Sequence, residues 1–186
     1  RAALRESLAS RSPDEVESDL RETIELAASE CVSKGITSLH DAGSSFELVD
    51  LLKKMADEGG LKIRLYLMLS ESNSNLKKSL SEYRLVGYGD EMLTVRSVKR
   101  LIDGALGSHG AWLLKPYSDL PSSTGLQTYP SDALRETAEI ALANGFQLAV
   151  HAIGDRANRE VLDIYQNTLK GDRKARWRIE HAQHLA

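Results

Sequence analysis

Strand-like and helix-like segments alternate along most of this sequence of 186 residues. The strand candidates are residues 36–40, 61–69, 93–102, 146–151 and 176–181. Apolar residues at helical spacing predict helices over residues 12–34, 46–58, 76–85, 131–144 and 155–169. Strands joined by helices run parallel, because the helical crossover returns the chain to the same end of the sheet. The order of segments therefore predicts an α/β fold with a parallel sheet.

Two parallel architectures fit this order, an open doubly wound sheet and part of a (β/α)8 barrel. A complete barrel needs eight strands and usually about 250 residues, so five strand candidates are too few for one. No dinucleotide-binding fingerprint follows a strand candidate, since residues 104–110 have the wrong glycine spacing and no helical pattern directly behind them. We therefore favour a partial (β/α)8 barrel of the TIM type, with about five of the eight strands present.

The two ends of the sequence bear on domain organisation. The chain begins with Arg1 and stops at Ala186, with no helical segment to cover the last strand candidate. A parallel sheet needs both of its faces covered. We expect residues 1–186 to form a single barrel fragment, the interior part of a longer domain, without a separate second domain.

Composition excludes several classes of function. Charged residues make up 27% of the chain and the formal net charge is -3, so neither a basic nucleic-acid surface nor an acidic tail is indicated. No apolar stretch is long enough to cross a bilayer, and no signal peptide is evident. The single cysteine, Cys31, rules out an internal disulfide and fits a reducing compartment. We expect a cytoplasmic protein that binds neither nucleic acid nor membranes; a homo-oligomer stays open.

Two strand candidates end in histidine, at His151 and His181. About 30 residues is the length of one βαβ unit, so neighbouring parallel strands would deliver both imidazoles to the carboxyl end of the sheet, where sites are built. Adjacent strands lie about 5 Å apart, which lets two imidazoles share one ion. The pair favours a metal site over the alternative in which each histidine only bonds to nearby backbone.

Lys99 lies inside a strand candidate, and Asp103 follows the end of that strand. Alternation with a period of two puts Lys99, Leu101 and Asp103 on one face. A lysine that points into a barrel must be neutralised, paired or modified. In the alternative, Lys99 faces solvent at a sheet edge and Asp103 begins a turn with Gly104. Sequence spacing alone does not distinguish the two.

Three further side chains are candidates for contact with a substrate. His40 closes the first strand candidate, although a turn that begins at Asp41 is an equal alternative. His109 lies in residues 104–130, a long segment without a helix or strand pattern, and loops of that length are often functional. Arg156 either contacts a substrate or is solvated.

Four motifs resemble the amidohydrolase superfamily, in particular amidohydrolase family 3. In chain order they are residues 35–43 (GITSLHDAG), 98–108 (VKRLIDGALGS), 151–163 (HAIGDRANREVLD) and 178–183 (RIEHAQ). They occur in the order typical of the family and cover nearly the whole chain from Gly35 onward. One motif alone is a weak signal, whereas the four together are specific.

The resemblance implies a (β/α)8 barrel with a metal centre, and hydrolysis of a carbon–nitrogen bond, other than a peptide bond, in a small amide-type substrate. It assigns metal binding to Lys99, His151 and His181, with Lys99 matching a strand-four lysine that is often carboxylated and can bridge two ions. We expect catalytic roles for these three residues and for Asp103. The ion is divalent, with zinc favoured by histidine and carboxylate ligands, in one or two copies. The family's His-x-His pair and last-strand aspartate are not found in this sequence.

Two other functions stay open at this point. The chain could belong to a barrel that has kept the fold but binds or regulates without catalysis. It could also be an open α/β domain that binds a small ligand, and this second alternative predicts no metal.

Overall fold

The computed structural model describes residues 11–186, and its helices and strands alternate as the sequence predicts. In chain order the elements are α1 (Pro13–Ser33), β1 (Ser38–Ser44), α2 (Phe46–Asp57), β2 (Arg64–Leu69), α3 (Asn73–Ser79), a 3₁₀ turn (Leu80–Tyr83), β3 (Leu85–Gly87), a helical turn α4 (Tyr88–Glu91), β4 (Leu93–Leu101), a second 3₁₀ turn (Leu106–Ser108), α5 (Ser131–Ala143), β5 (Gln147–Ala152), α6 (Asp155–Leu169) and β6 (Arg178–His181). No helix within these residues is long and apolar enough to cross a membrane.

The first helix begins where local sequence chemistry requires it. The Ser12 hydroxyl accepts a hydrogen bond from the Glu15 amide, and the Glu15 carboxylate accepts one from the Ser12 amide. Pro13 occupies the first helical position, where a missing N–H costs nothing. This reciprocal pair satisfies two amides that would otherwise lack a partner, so the start of α1 is encoded within four residues.

Five strands form a parallel sheet in the order β1-β2-β4-β5-β6. The sheet is strongly curved, as shown by contacts between side chains on strands that lie far apart in the strand order. A guanidinium nitrogen of Arg178 on β6 lies 3.4 Å from His40 Nδ1 on β1 and 3.6 Å from Met68 Sδ on β2. A flat open sheet would hold these strands far apart, so the curvature is that of a barrel segment.

An apolar core lies between the convex side of the sheet and the helices. Leu67, Val95 and Leu148 contribute from the strands, and Leu52 and Leu134 from α2 and α5. The concave side is polar, whereas the interior of a (β/α)8 barrel is usually filled by branched apolar side chains. The polar side chains on the concave side include His40, Tyr66, Lys99, Gln147, His151, Arg178 and Glu180. The concave side is therefore the part of the sheet that could carry chemistry.

A bulge in β4 decides which side Lys99 faces. The register between β2 and β4 shifts after the Leu67–Val95 pair, which leaves Arg96 as an extra residue. Val95 and Val98 both pack into the convex core although strict alternation would place them on opposite faces. Without the bulge, Lys99 would share the face of Val95 and point at the helices. With it, Lys99 points to the concave side.

The segment after β2 differs from the predicted helix over residues 76–85. The helix begins earlier, at Asn73, where the Ser72 hydroxyl caps it. It then tightens into the 3₁₀ turn and gives way to β3, which pairs antiparallel with β4 through Leu85 and Val95. The prediction was wrong here because the leucines of this segment lie in three different elements: Leu76 in α3, Leu80 in the 3₁₀ turn and Leu85 in β3.

Arg100 is a buried cation that ties the β2–α3 connection to β4. It is 5% exposed, and its guanidinium donates hydrogen bonds to the backbone carbonyls of Lys99 (2.8 Å) and Glu71 (2.6 Å). It also donates to the side-chain oxygens of Asn73 (3.0 Å) and Thr137 (3.2 Å). All four acceptors are neutral. The hydrogen bonds that Arg100 donates to them hold the loop beside Lys99 in place.

We expect Arg100→Met to lower the free energy of unfolding by about 2–4 kcal/mol, because the carbonyls of Glu71 and Lys99 lose their donor in a buried site. Arg135→Met removes the same charge from an exposed helix position and should cost less than about 0.5 kcal/mol. Urea unfolding of both variants measures the difference. Equal stability of the two would show that the Arg100 network contributes little.

Candidate functional site

The carboxyl ends of β5 and β6 bring His151 and His181 together. Their ring centroids lie 4.6 Å apart, with the rings inclined at 73°. The strand register pairs His181 with Ala152, whose side chain points into the convex core. His181 escapes that face because its backbone turns into the left-handed region, with a φ of 75°. This local turn places its imidazole against that of His151.

His151 is held in a nearly dry environment. Its side chain is 13% exposed, and its Nε2 atom is buried and has no hydrogen-bond partner among residues 11–186. Burial lowers the pKa of the imidazole; the Asp103 carboxylate opposes this effect, and His181 and Lys99 add to it. His151 is therefore neutral around pH 7, which is the protonation state that binds a metal.

Lys99 lies on the central strand β4 and is 5% exposed, which excludes its placement in solvent at a sheet edge. Its ammonium group donates one hydrogen bond, of 3.1 Å, to the backbone carbonyl of Arg100. Burial lowers the pKa of Lys99, and the charge of Glu180 opposes the shift. A buried lysine gives up its proton more readily than an exposed one, and the neutral amine is suited to covalent modification.

Asp103 does not simply open a turn with Gly104. Its carboxylate is 2% exposed and accepts three backbone hydrogen bonds, from Trp112 (2.9 Å), Ile153 (3.0 Å) and Gly154 (2.8 Å). Its Oδ1 atom also lies 3.4 Å from His151 Nε2. Asp103 thus occupies the point where β4, the loop behind it and the β5–α6 turn meet.

The long loop over residues 104–130 has a dense set of hydrogen bonds. Within the loop, the Leu113 amide donates to the Thr124 carbonyl at 2.8 Å. At its borders, the Thr128 amide donates to Ile102, also at 2.8 Å, and the Leu114 amide donates to the Asp155 side chain at 2.8 Å. The loop is bonded at many points and forms one wall of the site. A cleft of about 640 Å³ lies beside it; Lys99, Asp103, Thr128 and Tyr129 are among the residues that line the cleft.

The three candidate substrate contacts lie in different places. His40 stacks on Tyr66 with 4.7 Å between ring centroids; it lies in the middle of β1, because that strand runs on to Ser44 instead of ending at His40. His109 lies in the loop and bonds to Asp119 at 2.9 Å. The guanidinium of Arg156 lies 4.7 Å from the centre of the Trp112 ring, at the start of α6.

Sequence reasoning missed part of the concave side. Arg178 forms an ion pair with Glu180 and lies over the Tyr66 ring, 5.5 Å from its centre. The Tyr66 hydroxyl donates a hydrogen bond to Gln147 on β5. The signal was present for β6, because Arg178 and Glu180 flank Ile179 with the period of a strand that has one polar face.

The described residues supply only some of the donor groups that a metal ion needs. No three His, Cys, Asp or Glu side chains come together as an ion would require in the part of the chain that the structure describes. Two adjacent imidazoles fit part of such a site. A carboxylated Lys99 would add oxygen donors. The roles of Lys99, Asp103, His151 and His181 stay predictions.

Comparison with known proteins places these observations in a family. The chain is 32% identical over 180 residues to Protein LONG AFTER FAR-RED 3 of Arabidopsis thaliana and 31% identical over 174 residues to YtcJ of Bacillus subtilis, which is described as a candidate amidohydrolase. It is 28% identical over 142 residues to the exoenzymes regulatory protein AepA of Pectobacterium carotovorum. These matches cover 89%, 88% and 72% of this chain but only 30%, 31% and 29% of the relatives.

Solved structures agree with the partial barrel. An uncharacterized metal-dependent hydrolase from Pyrococcus furiosus superposes with a TM-score of 0.76 at 31% identity, covering 89% of this chain and 34% of that one. A second, from Pyrococcus horikoshii, gives a TM-score of 0.73 at 27% identity, covering 88% and 36%. The predicted partial (β/α)8 barrel is confirmed. The sequence model of the amidohydrolase family matches residues 2–186, and the chain therefore belongs to that family.

Proposed function

We propose that this chain supplies part of the active site of a metal-dependent hydrolase. The observation that carries the proposal is the contact between His151 and His181 at the carboxyl end of a curved parallel sheet, next to the buried Lys99. This is the end of the sheet where (β/α)8 enzymes place their catalytic groups. Membership of the amidohydrolase family and similarity to solved metal-dependent hydrolases support the same function.

In this proposal His151, His181 and Lys99 bind one or two divalent ions, with zinc favoured by the mixed nitrogen and oxygen donors. A bound ion would supply an activated water and polarise the carbonyl group of a substrate. Carboxylation of Lys99 would replace a buried cation by an anionic oxygen donor and so remove the cost of burying its charge. The family resemblance implies a His-x-His pair as further ligands and an aspartate as general base, in addition to these three residues.

The proposed substrate is a small amide-type molecule whose carbon–nitrogen bond is not a peptide bond. The cleft beside the loop of residues 104–130, which is lined by Lys99 and Asp103 but not by His151 or His181, has the size of a small-molecule site. His40, His109 and Arg156 are the proposed substrate contacts, from the concave side, the loop and the start of α6. We further propose a cytoplasmic protein that acts on small molecules and binds neither nucleic acid nor membranes, either as a monomer or as a homo-oligomer.

A second function, binding or regulation without catalysis, is favoured by one observation. One relative of this chain is named a regulatory protein. A barrel that kept two histidines but lost the rest of the ligand set would act in this way.

We expect the protein, in the form that its cell produces, to hold one or two equivalents of divalent metal by elemental analysis. It should also hydrolyse at least one member of a panel of small amides, ureas and cyclic imides. Chelation should abolish hydrolysis, and zinc should restore it. Metal binding without hydrolysis would favour the second function, and the lack of both metal and hydrolysis would contradict the proposed enzyme.

A further inference from the structure

One carboxylate joins three separate segments at the rim of the site. Asp103 follows β4, Trp112 lies in the long loop, and Ile153 and Gly154 form the turn between β5 and α6. All three backbone amides point at the Asp103 carboxylate, with donor–acceptor distances of 2.8–3.0 Å. Hydrogen bonds to a buried carboxylate are stronger than those between neutral groups, so this contact dominates the junction.

The two carboxylate oxygens of Asp103 have different partners. Oδ2 accepts from Trp112 and Gly154, whereas Oδ1 accepts only from Ile153. A carboxylate offers about four lone-pair sites, which leaves one on Oδ1. Oδ1 lies 3.4 Å from the buried Nε2 of His151, an atom that has no hydrogen-bond partner within the described residues. A small rotation of either side chain would complete a hydrogen bond between them.

The neighbouring backbone holds the loop in the same place. The Trp112 carbonyl accepts a hydrogen bond of 3.2 Å from the Ala157 amide in the first turn of α6. Trp112 is therefore anchored through its N–H by Asp103 and through its C=O by α6. The next loop residue but one, Leu114, donates to the Asp155 side chain at 2.8 Å. This part of the loop is hydrogen-bonded both to Asp103 and to α6. It is therefore not attached at a single flexible point, as a lid would be.

We propose that Asp103 is a positioning residue that fastens the loop of residues 104–130 as a fixed wall and holds the His151 imidazole in one orientation. The second half of this inference rests on the proposed role of His151 as a metal ligand. It gives Asp103 a positioning role in place of the catalytic role expected from the sequence, because backbone amides occupy three of the roughly four lone-pair sites of its carboxylate. Asp103 acts on the reaction only through His151 and the wall.

The first test needs no variant. Hydrogen exchange measured residue by residue on the whole protein should find the amides of Trp112, Ile153 and Gly154 among the slowest outside the strands and helices. Fast exchange at these three amides would overturn the fixed wall.

The second test compares Asp103→Asn with Asp119→Asn, which makes the same charge change at an exposed position in the same loop. Asp103→Asn should speed exchange at the three anchored amides roughly 10–100-fold, since each loses a charge-assisted hydrogen bond. It should also shift the ring nitrogen resonances of His151 and weaken Co²⁺ binding about 10–100-fold, as loss of a ligand's partner does. Asp119→Asn should change none of these.

The two tests distinguish the anchoring role of Asp103 from its effect on His151. Faster exchange with unchanged His151 resonances would reduce Asp103 to a structural residue and overturn its positioning role. Unchanged exchange at the three amides would overturn the anchor itself. If the unaltered protein binds no Co²⁺, the proposed metal function fails, whereas the exchange rates and the His151 resonances still test the role of Asp103.

Discussion

The variant His151→Ala, His181→Ala is expected to lose divalent metal, with affinity reduced by more than about 100-fold. That loss exceeds the 10–100-fold typical of removing a partner that only orients a ligand, because two nitrogen donors disappear at once. Each single substitution should cause most of the loss, since an ion held by few protein ligands does not tolerate the removal of one. Isothermal titration with zinc or cobalt, after chelation of the purified protein, measures the change.

The matched control is His184→Ala. His184 lies close to the pair in sequence, yet its exposed ring is 3.9 Å from Asp155 and is not in contact with the two rings of the site. Metal affinity should stay within about twofold of the unaltered protein in this variant. Equal loss in the control and in the His151 and His181 variants would mean that metal binds through scattered surface groups. Retention of metal in the double variant would remove the basis of the proposed function.

Metal binding should also depend on pH in a specific direction. Burial lowers the pKa of His151, so a proton competes with the metal only at lower pH than for an exposed histidine. Protonation of His151 should therefore weaken metal binding only below about pH 6.5, the ordinary histidine value. In the metal-free protein the ring resonances of His151 should titrate below that value, and titration above it would contradict the prediction.

The second large effect is expected at Gly154, where the loop passes too close for any side chain. A Cβ atom there would lie 2.0 Å from the Trp112 carbonyl oxygen and 2.5 Å from its carbon, and both are backbone atoms that cannot rotate away. Gly154→Ala must therefore push the loop off the β5–α6 turn and strain the bonds to Asp103. We expect the free energy of unfolding to fall by about 2–4 kcal/mol, in the upper range for overpacking.

A matched control exists in the same loop. A Cβ atom at Gly107 would meet nothing within 4 Å, and the φ of this residue is not positive, so Gly107→Ala should change stability by less than about 0.5 kcal/mol. Chemical unfolding gives the two free energies, and limited proteolysis should cut residues 104–130 faster only in Gly154→Ala. Similar stability of the two variants would mean that the loop yields at Trp112 without cost.

Local sequence determined most of the helices and strands and the edge of the sheet at which the candidate site lies. The capping box at Ser12 and Glu15 set the start of α1, and the predicted helix over residues 155–169 agrees with α6. The histidines of the candidate pair could be found because parallel strands end at the same edge. Each of these features depends on residues close together in the chain, and such interactions can be recognised from spacing alone.

Tertiary structure decided how the site is assembled. The bulge at Arg96 turned Lys99 to the concave side, and the left-handed backbone at His181 turned its ring toward His151. The three amides on Asp103 come from segments up to 51 residues away, which no spacing rule connects. Backbone register and close packing select among side-chain directions that the sequence leaves equivalent. The sequence by itself therefore indicated the histidines and the barrel, and only the tertiary structure determined what surrounds them.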